Sequence, residues 1–422
     1  MKRYLSNFEL TEEFVRKSVF DCLGGSPTRK SRWKEKKTIF FLAEYLMKWE
    51  YQHNFREVSN IKTIGYRLYN YAINNKERLY PLVNYIAHEM YLEIKNKSIR
   101  LRKINYNTII DKGSKKTRVI GSASMKQQCY DYVVVNALKE MFDAKIGHYQ
   151  CASLPNKGQL FGKQAIESWI RTNPKKCTWF FKGDVKQFYP SVNHRIAKRL
   201  LNRDIKNKDI LYLAYTLIDT YGDVGLCIGS YFCQYMANYI MSYPYHYVTE
   251  MLYVNRRGKR YNLVHHPLFY MDDVILIGSN KKHVKKAAIE LEKYLNKFFD
   301  LKLKLDYQLF PIDSRPIDMM GYKIYSDYTT VRKRIFKPAN RVFNQVKGKD
   351  TMTLEEAHKV VSYYGYFKYT DSYKYRKKVK MSRSLRVAKE VISNEAKNSR
   401  VSNSTGTISV STAIWWKCSC FY

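Results

Sequence analysis

The chain has 422 residues, 45% of them hydrophobic, enough for two or three packed units with substantial cores. That excludes a disordered chain and a fold that depends on disulfide or metal staples. Its 75 Lys and Arg against 37 Asp and Glu leave a net charge of +38, which repels itself in a compact chain and calls for a polyanionic partner.

In chain order, residues 1–100 read as a helical N-terminal extension. Ile39 to Leu46 and Leu82 to Ala87 carry apolar residues at helical spacing, and the basic stretch Thr28 to Lys34 reads as an exposed loop. Residues 101–325 alternate short strand-like runs with helical ones. Thr117-Arg118-Val119-Ile120, Trp179 to Val185 and Val274-Ile275-Leu276-Ile277 are the strand candidates, and Val284 to Phe299 reads as an amphipathic helix lying on a sheet. Residues 326–396 return to helical patterning, rich in Lys, Arg and Tyr. Residues 397–422 form a Ser/Thr/Asn-rich tail ending in aromatics. No internal repeat is present.

Eight cysteines are scattered at 22, 129, 151, 177, 227, 233, 418 and 420 without a Cys-x-x-Cys pair, so no zinc ribbon or thioredoxin-like centre is expected. The N-terminus has no apolar leader, and no run of about 18 apolar residues exists. The expectation is a cytoplasmic, reduced protein without a membrane partner. Tyr accounts for 38 residues, and runs such as Tyr373-Lys374-Tyr375-Arg376-Lys377-Lys378 suit a nucleic-acid surface, where rings stack on bases and cations meet phosphates.

The chemistry concentrates in two acidic segments. Tyr270-Met271-Asp272-Asp273 lies between apolar runs, a pattern for a β-hairpin with adjacent carboxylates at its turn. Neighbouring carboxylates repel each other and resist desolvation unless a cation lies between them. In the second segment, Phe180-Phe181-Lys182-Gly183-Asp184-Val185, Asp184 reads either as the N-cap of a following helix or as a carboxylate at a strand end. Together the segments meet the demands of two-metal phosphoryl transfer, in which hard oxygen ligands hold two divalent ions about 4 Å apart. Asp184 and Asp272 would bridge two Mg²⁺ ions, with Asp273 supporting. Tyr189, five residues after Asp184, reads either as core or as a ring under the sugar of an incoming nucleotide that would clash with a 2′-hydroxyl.

The order of these segments resembles the fingers and palm of reverse transcriptases from about residue 100 to 380. The resemblance implies an α+β right-hand polymerase fold: palm and fingers built from antiparallel sheet plus helices, and a helical thumb. Arg118, with Lys116 as helper, resembles the basic pair that grips the nucleotide triphosphate through charge-assisted bonds. Cys151-Ala152 with Lys157-Gly158 resembles the next fingers block, Gly321-Tyr322-Lys323-Ile324 the hairpin that grips the primer, and Ser362 to Tyr366 the start of the thumb. Gly229, in Gly225 to Gln234, resembles the glycine where backbone approaches template and nucleotide. Ile228 and Gln234 around it, with Gln308-Leu309-Phe310-Pro311, are similar to the enzymes of diversity-generating retroelements, which copy RNA with errors at adenine. Those enzymes usually carry Ser where Cys233 stands. Related bacterial enzymes act in phage defence.

The implied partners are an RNA template, the RNA–DNA hybrid, dNTPs and a cognate non-coding or template RNA, with an accessory protein or further copies of the chain as additional partners. The competing readings are an RNA-dependent RNA polymerase, untemplated or protein-primed DNA synthesis, and a non-catalytic RNA-binding scaffold.

Overall fold

The computed structural model describes residues 3–25, 29–52, 60–110 and 117–401. Chain contacts divide it into two units, Met1–Arg334 and Ile335–Tyr422. In the first unit, α1 (Glu12–Gly24), α2 (Lys36–Gln52), α3 (Ile61–Asn74) and α4 (Tyr80–Lys95) come before any strand. Each buries one stripe of apolar side chains: Val15, Val19 and Cys22 on α1, and Val83, Ile86, Ala87, Met90 and Ile94 on α4.

An exposed two-stranded ribbon follows, β1 (Asn105–Ile110) and β2 (Thr117–Ser122), in antiparallel register with Ile109 opposite Arg118. Next come α5 (Met125–Ala137), α6 (Lys139–Lys145), α7 (Gln159–Thr172), β3 (Trp179–Asp184), and then α8 (Phe188–Ser191), α9 (His194–Asp204), α10 (Lys208–Asp219) and α11 (Tyr231–His246). The chain then forms β4 (Tyr253–Arg256), β5 (Lys259–Asn262), β6 (His266–Tyr270), β7 (Asp273–Gly278), α12 (Lys281–Phe299) and β8 (Gln308–Pro311). A small sheet of β9 (Ile317–Met319), β10 (Tyr322–Ile324) and β11 (Thr329–Val331) ends the unit.

The central sheet has the order β6-β7-β3-β8, antiparallel throughout. Its strands are near-continuous apolar runs: Val274 to Ile277 on β7 and Phe180-Phe181 on β3 are buried. Such runs require cover on both faces. The apolar stripe of α12 (Val284, Ala287, Leu291, Leu295) supplies one cover, as its amphipathic pattern predicts.

The second unit is helical: the rest of α13 (Lys333–Val346), α14 (Leu354–Lys368), α15 (Tyr373–Lys378) and α16 (Met381–Val401). Phe343 and Phe367 are buried in it, and the half-buried Tyr375 and exposed Phe336 rings pack against Phe367. A reciprocal capping box between Thr353 and Glu356 starts α14. The tail from residue 402, with Cys418 and Cys420, lies outside the described residues.

Candidate active site

The register of the central sheet brings the two acidic segments together. Asp184 is the last residue of β3 and pairs with Asp273, the first residue of β7. Tyr270 pairs with Asp273 across the hairpin, so Met271 and Asp272 form its two-residue turn. Met271 takes a left-handed conformation, φ 57°, which costs a non-glycine residue and marks a position held by its surroundings. The Asp272 carbonyl accepts a hydrogen bond from Val185 N at 3.0 Å, locking the turn onto the end of β3. The N-cap reading of Asp184 is set aside, because the residue preceding α8 is Gln187.

On its other side the Asp184 segment is held by the chain that follows α12. Lys304 N donates to Asp184 O at 2.8 Å and Lys186 N to Lys302 O at 2.8 Å. The Lys304 ammonium donates to a carboxylate oxygen of Asp184. Lys304 was not among the residues expected here, although the alternation Leu301-Lys302-Leu303-Lys304-Leu305 carries the period of a strand edge. Among the described residues no three His, Cys, Asp or Glu side chains are grouped tightly enough to hold an ion as they stand. The donor set nonetheless suits a hard divalent cation: carboxylates from two adjacent strand ends, one of them already meeting a positive charge.

Tyr189 is half-buried, its ring edge-on to Phe188. Burial pushes its phenol well up, helped by the nearby Cys233 and the Asp272 carboxylate. Tyr189 therefore lies within electrostatic reach of the hairpin turn. Its carbonyl accepts from Leu226 N at 2.7 Å, and Gly225 N donates to Val192 O at 2.8 Å, so the 225–230 loop is stitched to the Tyr189 segment.

The same loop is stitched to the β1–β2 ribbon, with Gly121 N donating to Ile228 O at 2.9 Å. At Gly229, φ is 111° and a Cβ would stand 2.9 Å from the Gly121 carbonyl oxygen, so only glycine fits. Arg118 is exposed on that ribbon and makes no ion pair among the described residues; Lys116 lies outside them. Gln234 is half-buried in the first turn of α11. Lys157 donates to the carbonyls of Gly147, His148 and Gln150, so it braces its own loop.

Beneath the loop is a network that sequence reading missed. Asp131, fully buried on α5, accepts from Ser230 Oγ at 2.8 Å and from Tyr231 N at 3.1 Å. Ser230 Oγ also meets Tyr221 OH at 3.2 Å and caps α11 through Cys233 N at 3.1 Å. Cys233 Sγ accepts from Cys227 N at 3.3 Å. Burial, only partly offset by the bonds from Ser230 and the α11 backbone, pushes the Asp131 carboxyl up to about 7. The available signal was a lone acid in the run Tyr130-Asp131-Tyr132-Val133-Val134-Val135.

A paired-carboxylate hairpin beside a third strand-end carboxylate in an antiparallel sheet, with a loop bonded to the ribbon that carries Arg118, has the arrangement of a template-directed polymerase palm. Residues 109–324 match the family described as reverse transcriptase (RNA-dependent DNA polymerase). That match spans half of the chain, and the protein belongs to the reverse transcriptase family. It is an RNA-directed DNA polymerase, a nucleotidyltransferase with the palm-and-fingers α+β fold, acting on an RNA template and dNTPs. No curated protein matches the chain.

Proposed function

We propose that Asp184 and Asp272 hold the two Mg²⁺ ions of nucleotidyl transfer, with Asp273 as the supporting ligand. The observation that carries this reading is the register that pairs Asp184 with Asp273 while Val185 holds the carbonyl of Asp272. When bound, such ions neutralise charge on the transferring phosphoryl group and lower the pKa of the attacking hydroxyl.

The remaining roles belong to the chain's own groups. Arg118, with Lys116, grips the triphosphate through its guanidinium fork. Tyr189 places its ring where a 2′-hydroxyl would sit and so selects deoxynucleotides. Gly229 gives the backbone close approach to the nucleotide, and Gln234 contacts it from the start of α11. Residues 326–396 form the helical thumb, whose basic, Tyr-rich α15 suits contact with an RNA–DNA hybrid. Among the described residues no helix is long and apolar enough to cross a membrane, and we place the enzyme in the cytoplasm.

Ile228 and Gln234 favour copying of a cognate template RNA in a diversity-generating retroelement. Cys233, buried where those enzymes usually carry Ser, departs from their pattern and bears on error-prone copying; the second reading is DNA synthesis in phage defence, either from a non-coding RNA or untemplated. The test is to sequence nucleic acid that co-purifies with the wild type and with the Asp272→Ala/Asp273→Ala variant. DNA present only with the wild type and substituted mainly at template adenines supports the retroelement reading. Faithful copies, or DNA with no template match, support the defence reading. Equal DNA in both preparations removes the polymerase site from its present position.

A further inference from the structure

At the end of the central sheet away from the carboxylates, three chain segments gather basic side chains. Trp179 at the start of β3 pairs with Gly278 at the end of β7, five residues along β3 from Asp184. At about 3.4 Å per residue, the two ends of the sheet are about 17 Å apart. Exposed Lys175 and Lys176 precede β3. Exposed Lys281 and Lys282 open α12, followed one turn later by Lys285 and Lys286.

The third segment is the β4–β5 hairpin. Arg256 pairs with Lys259 around an Arg257-Gly258 turn whose two residues are both left-handed, φ 49° and 71°, the geometry of a tight projecting hairpin. Its base returns to the same sheet end: Leu263 N donates to Leu252 O and His265 N to Ile277 O, both at 2.9 Å. Arg256 Nη2 meets His283 Nε2 at 3.4 Å, joining the hairpin to α12.

The charge here is not neutralised internally. None of these lysines and arginines forms an ion pair among the described residues; Glu250 is engaged with His246 and Glu290 with Lys293, and exposed Asp313, just after β8 at this sheet end, offsets only one of the charges. The histidines register the field. His265 is pushed down by burial, then by Lys176 and His283, and His283 by burial, then by Arg256 and Lys286. Two tyrosines on the hairpin, Tyr253 and Tyr261, are 38% and 49% exposed, and the Arg260 guanidinium stacks 3.8 Å over the Tyr253 ring.

We propose that this surface is an RNA anchor, which binds the phosphate backbone of a double-helical RNA segment at the sheet end remote from the polymerase carboxylates. Guanidinium forks and flexible ammonium groups are suited to phosphate oxygens, and the hairpin tyrosines to hydrogen bonding along the same backbone. The anchor holds the RNA molecule while another part of it is copied. It takes from the assigned activity only that RNA is the substrate.

The test uses the full chain with Arg256→Gln, Arg257→Gln, Lys259→Gln and Lys282→Gln together. The matched control carries Arg195→Gln, Arg199→Gln, Lys206→Gln and Lys208→Gln, also exposed basic positions. The probes are an RNA hairpin of about 20 base pairs without a primer terminus, near the span of known double-stranded RNA modules, and a short RNA template–DNA primer duplex. The anchor variant is expected to bind the hairpin about tenfold more weakly near physiological salt, with a flatter salt dependence. Its extension of the short duplex should stay at the wild-type rate, and the control should change hairpin affinity by no more than about twofold.

Equal losses in anchor and control variants overturn the proposal in favour of generic charge. Unchanged hairpin binding overturns it in favour of a protein partner. Parallel loss of extension by the anchor variant assigns the surface to the template path instead. Asp272→Asn, run alongside, should keep hairpin binding while losing extension. An Asp272→Asn protein that still extends the duplex contradicts the polymerase-site reading and leaves the anchor standing.

Discussion

Asp131→Asn separates the buried network under the Gly229 loop from the polymerase centre through pH. The Asp131 carboxyl is pushed up to about 7 by burial, whereas in an unfolded chain it titrates near the ordinary value of about 3.9. Between those values the folded protein holds the proton and the unfolded chain has lost it. The native state therefore binds more protons, and stability falls as pH rises, until the folded carboxyl is itself ionised above about 7. Integrated from about pH 5.5 to 8, the loss is about 2 kcal/mol. With unfolding entropy proportional to chain length, this corresponds to about 3 °C in Tm for the first unit. Asn can still accept from Ser230 Oγ and Tyr231 N but carries no charge to bury. Calorimetry at both pH values is expected to show the wild type losing about 3 °C relative to Asp131→Asn. Parallel melting curves for the two proteins would refute the argument.

Other changes act at the site itself. Tyr189→Val should lower the preference for dNTP over NTP by about ten- to a hundredfold, the range for a steric pocket difference, measured by competitive incorporation on one template. Gly229→Ala forces a Cβ to 2.9 Å from the Gly121 carbonyl oxygen at φ 111°. It should cost about 1–3 kcal/mol of stability and most of the activity, read by denaturant melts and primer extension. Lys304→Gln removes the cation that meets Asp184. With the two side chains 34% and 26% exposed, the pair contributes at most about 1 kcal/mol. The Mg²⁺ concentration for half-maximal extension should then drop by up to about fivefold.

How much of this was legible in the sequence follows from the range of the interactions involved. The central sheet was readable because Val274 to Ile277 and Phe180-Phe181 are short apolar runs with carboxylates at their ends, so local pattern and final position agree. The α12 stripe was readable for the same reason. The meeting of Asp184 with Asp273 was expected only through chemistry, since nothing local in either segment encodes the other. Lys304 and Asp131 were missed because their partners lie 120 and 99 residues away, at Asp184 and Ser230, and neither stands in a motif. The β4–β5 hairpin was missed although Arg257-Gly258 between Val254 and Tyr261 is a turn signal; it was read only as part of an alternating region. Gly229 was expected to matter for approach to the nucleotide, and the fold gives it a further reason, contact with the ribbon that carries Arg118.

The most direct test of the account is incorporation of labelled dNTP by the purified chain on a primed RNA template with Mg²⁺, comparing the wild type with Asp272→Asn and Asp184→Asn. Loss of a metal ligand should remove several kcal/mol of transition-state stabilisation, a fall of about 10³-fold or more in rate, with primer–template affinity and melting temperature retained. Either variant extending the primer at close to the wild-type rate would contradict the claim that these carboxylates make DNA.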